Sequence, residues 1–238
     1  MRVPFKIGNT VVIAKITRRG APSFTMINVH NDETTCVAAG KAVLKQLGGR
    51  LVELQHGGVR NIQFSLNGNH HAFDPNRIFS DIGIRETLTR QGNYSEAAHV
   101  LVKRFAAQYL DHFALGREPA IIALHNNSDG ALSINSYLPG GEFATSAIAV
   151  HVASRRSPED FFYVTDQRFF NHLKHRDFNV LLQDNVNVPD DGSLSVYFGK
   201  RGIPYVNIEA ESSHLNSQIK MLRVTREMFG EFGILEPQ

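Results

Sequence analysis

Thiols are almost missing from this chain. Its 238 residues include one cysteine, Cys36, which excludes an internal disulfide and a thiolate zinc cluster. Cys36 falls on the apolar face of an expected helix, so it reads as a buried structural thiol rather than a nucleophile. Apolar runs are short, and none reaches the roughly 18 residues of a membrane span. Met1 to Gly8 lacks the apolar stretch of a secretory signal. The expectation is a soluble protein, cytoplasmic or exported by a signal that these residues do not include.

An excess of charge of one sign is lacking too. Lys and Arg number 25 against 23 Asp and Glu, and 25 − 23 gives a net charge of +2 with no block of five like charges. The pI of ≈ 8.7 adds little to that balance. Nucleic acid is therefore a poor candidate partner. Repeats, low-complexity stretches and linkers are absent as well, and one domain spanning residues 1–238 is expected. None of these features speaks to oligomeric state. What is present is ordinary globular material, 42% hydrophobic and 20% charged, long enough to bury a sizeable core.

Strand-like and helix-like segments alternate nearly end to end, which predicts an α/β domain with a mixed, mainly parallel central sheet flanked by helices. Val11–Thr17 and Phe24–Val29 read as strands, separated by the turn-rich Arg18-Arg19-Gly20-Ala21-Pro22. Thr34–Leu47 reads as a helix stopped by Gly48-Gly49, and Leu51–Leu54 and Asn61–Leu66 as short strands. Tyr94–Leu115 is the longest helix, with Ser95 suited to the N-cap, and its stripe Leu101, Phe105, Tyr109, Phe113 reads as core. Ala120–Leu124, Phe161–Thr165, Val180–Gln183 and Ile203–Glu209 read as strands. Helices are expected over 166–174, Leu194–Lys200 (capped by Ser193) and Ser213–Phe229, while Phe143–Ala153 is ambiguous between strand and helix. Asn67–Thr87 and Asn126–Gly141 read as long loops, a place where function concentrates. His70-His71 lies in the first of them and reads as solvated.

Ligands in open α/β sheets bind beyond the carboxyl ends of the strands, and His30, His125 and Glu209 each sit at or just past such an end. His30 and Glu33, three apart in His30-Asn31-Asp32-Glu33, can reach one point in space. His125 completes a three-ligand set for catalytic zinc if the strands ending at Val29 and Leu124 are close. His151 and His99 compete for that third position. Asp32 competes with Glu33 to open the helix. Glu209 is the candidate general base, with Glu211 on the same strand face as its competitor.

Together these segments resemble the zinc carboxypeptidases and their deacylase relatives, the aspartoacylases and succinylglutamate desuccinylases. The resemblance is carried by His30-Asn31-Asp32-Glu33, Asp74-Pro75-Asn76-Arg77-Ile78-Phe79, His125, Gly192-Ser193 and Gly202-Ile203-Pro204-Tyr205-Val206-Asn207-Ile208-Glu209, in the family's order. It implies a carboxypeptidase-like (phosphorylase/hydrolase-like) fold and one zinc ion held by His30, Glu33 and His125. It implies Glu209 as base and proton shuttle, and Arg60 as the arginine that polarises the scissile carbonyl. Asn76 and Arg77 would hold the substrate's free carboxylate, a task suited to a planar guanidinium. Pro75 replaces the family's leucine, Ile78 replaces its usual asparagine, and the carboxypeptidases' mobile tyrosine has no counterpart at Asn185 to Asn187. Tyr137 is the candidate to fill a similar space. The expected activity is zinc-dependent hydrolysis of an amide bond next to a free carboxylate, in a small peptide or in an N-acyl amino acid. The rival from another class is a non-catalytic, carboxylate-binding domain on the same fold.

Overall fold

A computed structural model describes residues 1–20 and 24–235. Its strands are β1 (Arg2–Ile7), β2 (Thr10–Arg19), β3 (Thr25–Asn28), β4 (Gly49–Gln55), β5 (Ile62–Leu66), β6 (Asn69–Phe73), β7 (Ile121–Asn127), β8 (Ala147–His151), β9 (Phe161–Val164), β10 (Val180–Gln183) and β11 (Tyr205–Glu211). Its helices are α1 (Thr34–Leu47), α2 (Asp81–Gln91), α3 (Glu96–His112), α4 (Gln167–His175), α5 (Leu194–Gly199) and α6 (Leu215–Glu231). Nine strands form one mixed sheet in the order β1-β2-β4-β3-β7-β11-β9-β10-β8, while β5 and β6 pair as a separate hairpin. The run β4-β3-β7-β11 is parallel, and antiparallel pairs flank it on both sides. Among the described residues no helix is long and apolar enough to cross a membrane.

Two cores cover the two faces of this sheet. Val43, Leu44, Phe169, Leu173, Leu222 and Phe229 from α1, α4 and α6 pack with Met26, Ile122, Leu124 and Ile208. The opposite face holds Phe105 and Tyr109 of α3, Leu88 of α2 and Phe198 of α5, with Phe64 and Phe73 of the hairpin. Strand β3 is buried along its whole length, which fits a continuous apolar run rather than an alternating one. Phe105 and Tyr109 of the α3 stripe are fully core, as their spacing predicts.

Several expectations change. The first strand, β1, lies where no element was expected, zipped antiparallel onto β2. Arg18 and Arg19 belong to β2 rather than to a turn, and Ala21 and Pro22 lie outside the described residues. The supposed loop Asn67–Thr87 contains β6 and the start of α2. Asn67 and Gly68, both with positive φ, turn the expected strand β5 directly into β6, whose polar residues hide its strand character. His70 and His71 are therefore strand residues facing opposite ways. His70 is exposed, and His71 is buried, stacked on the Phe64 ring. The ambiguous Phe143–Ala153 supplies the edge strand β8.

Candidate metal centre

Local structure delivers three ligand-type side chains to one buried point. His30 follows β3, Glu33 precedes α1, and His125 lies on β7, the parallel neighbour of β3. Glu33 occupies the N-cap position of α1 yet makes no side-chain cap bond, and Asp32 contributes only its carbonyl to Thr34 N–H. The Glu33 carboxylate is thus left free to face the histidines. Its Oε1 lies 2.8 Å from His30 Nδ1, and its Oε2 lies 3.0 Å from His125 Nδ1. The two Nδ1 atoms are 3.2 Å apart. The three ligand-type atoms all lie within 4.8 Å of one another, close enough to be held by one ion. Two imidazole nitrogens aimed at each other satisfy only one proton between them. A cation accepting from both resolves that convergence, so the residues fit a bound metal.

A second layer holds the ligands in place. His30 Nε2 pairs with Asp74 Oδ1 at 2.8 Å, the carboxylate–histidine arrangement that fixes which ring nitrogen faces the metal. Arg60 donates through Nη1 to Glu33 Oε1 at 2.9 Å, with Nη2 3.5 Å from Asp74 Oδ2. Asn28 Nδ2 leans on Glu33 Oε2 at 3.4 Å and on the Leu124 carbonyl at 3.2 Å. Cys36 is buried behind this cluster, its Sγ 3.0 Å from the Glu33 carbonyl oxygen. Burial, with the nearby Glu33 and Glu209 charges, pushes its thiol well up. Cys36 is a structural thiol, as read from its helical face.

The electrostatics follow from burial and pairing. Burial alone would lower His30, but Glu33 and Asp74 raise it to about 9. Burial would raise Glu33, and the His125 and His30 charges override it and hold the carboxyl well below the usual range. Asp74 is held down against burial in the same way by His30, with Arg77 and Arg60 adding to the effect. A proton on His30 Nδ1 and a metal cation compete for the same place.

Glu209 sits on β11, directly across the ladder from His125. Burial raises its carboxyl and the Glu33 charge adds to the rise, while His125 and a 3.1 Å bond from Asn207 Nδ2 oppose it. Glu211, two residues on, is only half-buried and accepts from Ser213 Oγ at 2.6 Å. Neither rival histidine reaches the cluster: His99 pairs with Asp81, and His151 pairs with Asp177. His99 is buried, with Tyr94 packed against its ring.

The remaining candidates lie around this point without joining it. Arg77 donates to the Asn76 carbonyl at 2.8 Å and faces Asp191 at 3.7 Å. Asn76 Oδ1 accepts from Leu194 N–H at 3.1 Å, so its oxygen is used at the start of α5 and its NH₂ stays available. Tyr137 packs against Phe161 and Tyr163, and burial raises its phenol, with Glu209 adding to the rise. Asp74, Asn207 and Asp191 were not singled out from the sequence. Asp74 opens the Asp74-Pro75-Asn76-Arg77 motif, and Asn207 shares a strand face with Glu209; those were the available signals.

No family model and no curated protein matches the chain. Among solved structures, it is similar to the product-bound ectoine utilization protein EutE (DoeB) from Ruegeria pomeroyi, at 14% identity and a TM-score of 0.52 over 100% of this chain and 67% of that one. An aspartoacylase family protein from Mesorhizobium loti aligns at 11% identity and a TM-score of 0.45, again over 100% of this chain and 67% of that one. A succinylglutamate desuccinylase/aspartoacylase from Rhodobacter sphaeroides does so at 13% and 0.44, over 100% and 65%. The chain shares its fold with EutE.

Proposed function

We propose that this chain is a zinc-dependent hydrolase that cleaves an amide bond next to a free carboxylate. The observation that carries the reading is the convergence of His30 Nδ1, the Glu33 carboxylate and His125 Nδ1 on one buried point, with Glu209 beside them. When bound there, zinc supplies a Lewis acid and lowers the pKa of water toward 7.

The chain's own groups do the rest. Glu209, its carboxyl raised by burial, takes a proton from the attacking water. The water oxygen bonds to the carbonyl carbon, the C–N bond breaks, and Glu209 delivers the proton to the leaving amine nitrogen. Arg60, its side chain half-exposed beside Glu33, has N–H groups to spare for the oxygen that gains charge. Arg77 and Asn76 hold the free carboxylate and so set which bond meets Glu209. Tyr137 lines the same space from the β9 side.

The test is elemental analysis of zinc per chain, followed by hydrolysis of blocked dipeptides and N-acyl amino acids. About one zinc is expected, with turnover reduced roughly 10²–10⁴-fold by Glu209→Gln, in line with loss of a general base. Zinc without turnover in either series, unchanged by that substitution, supports the carboxylate-binding module instead. A chain that takes up no zinc on reconstitution overturns the mechanism. The two substrate series separate a peptidase from a deacylase.

A further inference from the structure

The loop that carries Arg60 is held by the same tetrapeptide that carries two of the metal ligands. Residues 56–61 connect β4 to β5, and Gly57 and Gly58 take positive φ values of 95° and 74°. A Cβ on either glycine would meet no atom within 4 Å, so packing does not hold this part of the loop. Among the described residues, the backbone of 56–61 makes no hydrogen bond to other backbone. One side chain ties it down instead. Asn31 Oδ1 accepts from His56 N–H at 2.7 Å and from Gly58 N–H at 2.8 Å. The positive φ of Gly57 lets two N–H groups, two residues apart, turn onto one oxygen, a concavity that favours an acceptor with negative charge. At the far end of the loop, the Arg60 guanidinium returns to Glu33 Oε1 at 2.9 Å. The loop is thus fastened twice to residues 31–33, once by its backbone and once by its arginine.

A guanidinium stabilises growing charge only from a fixed position, and an unpacked glycine pair leaves the following residues many positions. The bonds from Arg60 to Glu33 and Asp74 do not fix the backbone behind them, because a long side chain reaches the same partners from several rotamers. We infer that Asn31 is a positioning residue for Arg60. Its oxygen anchors the start of the loop and so sets where the guanidinium stands beside Glu33. Asn31 lies between His30 and Glu33, so the arginine is registered to the ligand-bearing segment itself. A shift of that segment carries Arg60 with it. Asn31 has this task only if Arg60 has the role given to it above.

Asn31→Ala, Asn31→Asp and Asn31→Ala combined with Arg60→Ala test this in the zinc-loaded protein. Limited digestion with trypsin, followed by mass at the Arg60–Asn61 bond, reads the loop without reference to activity. Asn31→Ala should speed that cut about tenfold, as loss of an acceptor shared by two N–H groups implies. Asn31→Asp keeps the acceptor and should restore the wild-type rate. Faster cutting at every site alike marks a loosened fold and overturns the inference. In turnover, Asn31→Ala should lower kcat about tenfold with KM within about twofold, and Asn31→Asp should recover most of the loss. On the Arg60→Ala background the same substitution should cost under about twofold, since the positioned group is gone. Equal losses with and without Arg60 overturn the inference, and so does an unchanged cut at Arg60. The digestion also separates the two readings. A loosened loop in a zinc-loaded protein that hydrolyses nothing sinks the hydrolase and leaves Asn31 as the loop's anchor. Hydrolysis with a loop that stays closed in Asn31→Ala sinks the role of Asn31 alone.

Discussion

His30 uses both ring nitrogens, Nδ1 toward Glu33 and His125 and Nε2 toward Asp74. Asp74 would therefore act on a metal held there through an imidazole rather than directly. Asp74→Asn retains an oxygen for the His30 and Asn76 N–H groups and removes only the charge. It should weaken zinc binding by roughly 10–100-fold, measured by competition with a chromophoric chelator, and lower the melting temperature of the metal-free protein, in which the Asp74 charge pairs with protonated His30. At this scale the ligand-type residues were legible and their supports were not. His30, Glu33 and His125 announce themselves by residue type at strand ends. An aspartate forty-four positions from its histidine carries no mark of that partnership until the chain folds.

Elements decide whether the carboxylate end of the site holds together. The first turn of α2 lies against the turn before α5 only because Gly83 and Gly192 meet without side chains. A Cβ on Gly83 would lie 2.7 Å from the Arg77 carbonyl and still nearer to Gly192 Cα. Gly83→Ala should destabilise the fold by ~1–3 kcal/mol, as overpacked contacts do. It should also raise KM more than it lowers kcat, since the displaced group is Arg77 and not Glu209; denaturant melts and steady-state kinetics check the two effects. Elements with strong periodicity were readable from the sequence, α1, α3 and the buried central strands above all. Strand β5 was readable too, whereas β6 and helix α2 were not, because α2 is polar on most of its surface and β6 carries Asn69 and two histidines. Their character comes from packing on Phe105 and Leu88, which no local pattern reveals.

On the scale of the whole molecule, the connection from β3 to α1 brings His30 and Glu33, β7 brings His125 and β11 brings Glu209, so three of the four parallel central strands border the cluster. A cation held by His30, Glu33 and His125 would tie the end of β3 to β7. Saturating zinc, at about a thousand times its dissociation constant, should stabilise the protein by about 4 kcal/mol. In a chain of this length that raises the melting temperature by on the order of 10 °C, reversed by a strong chelator. His125→Ala should melt at the same temperature with and without zinc. The spacing of the ligands has a kinetic corollary. His30 and Glu33 are three residues apart, whereas His125 lies 95 positions beyond His30. An unfolded chain offers the ion only the local pair, and the third donor arrives when β3 docks on β7, a long-range contact whose loop closure is entropically late. The ion finds its full site only after that docking, so it slows the chain's escape from the native state rather than hastening its arrival.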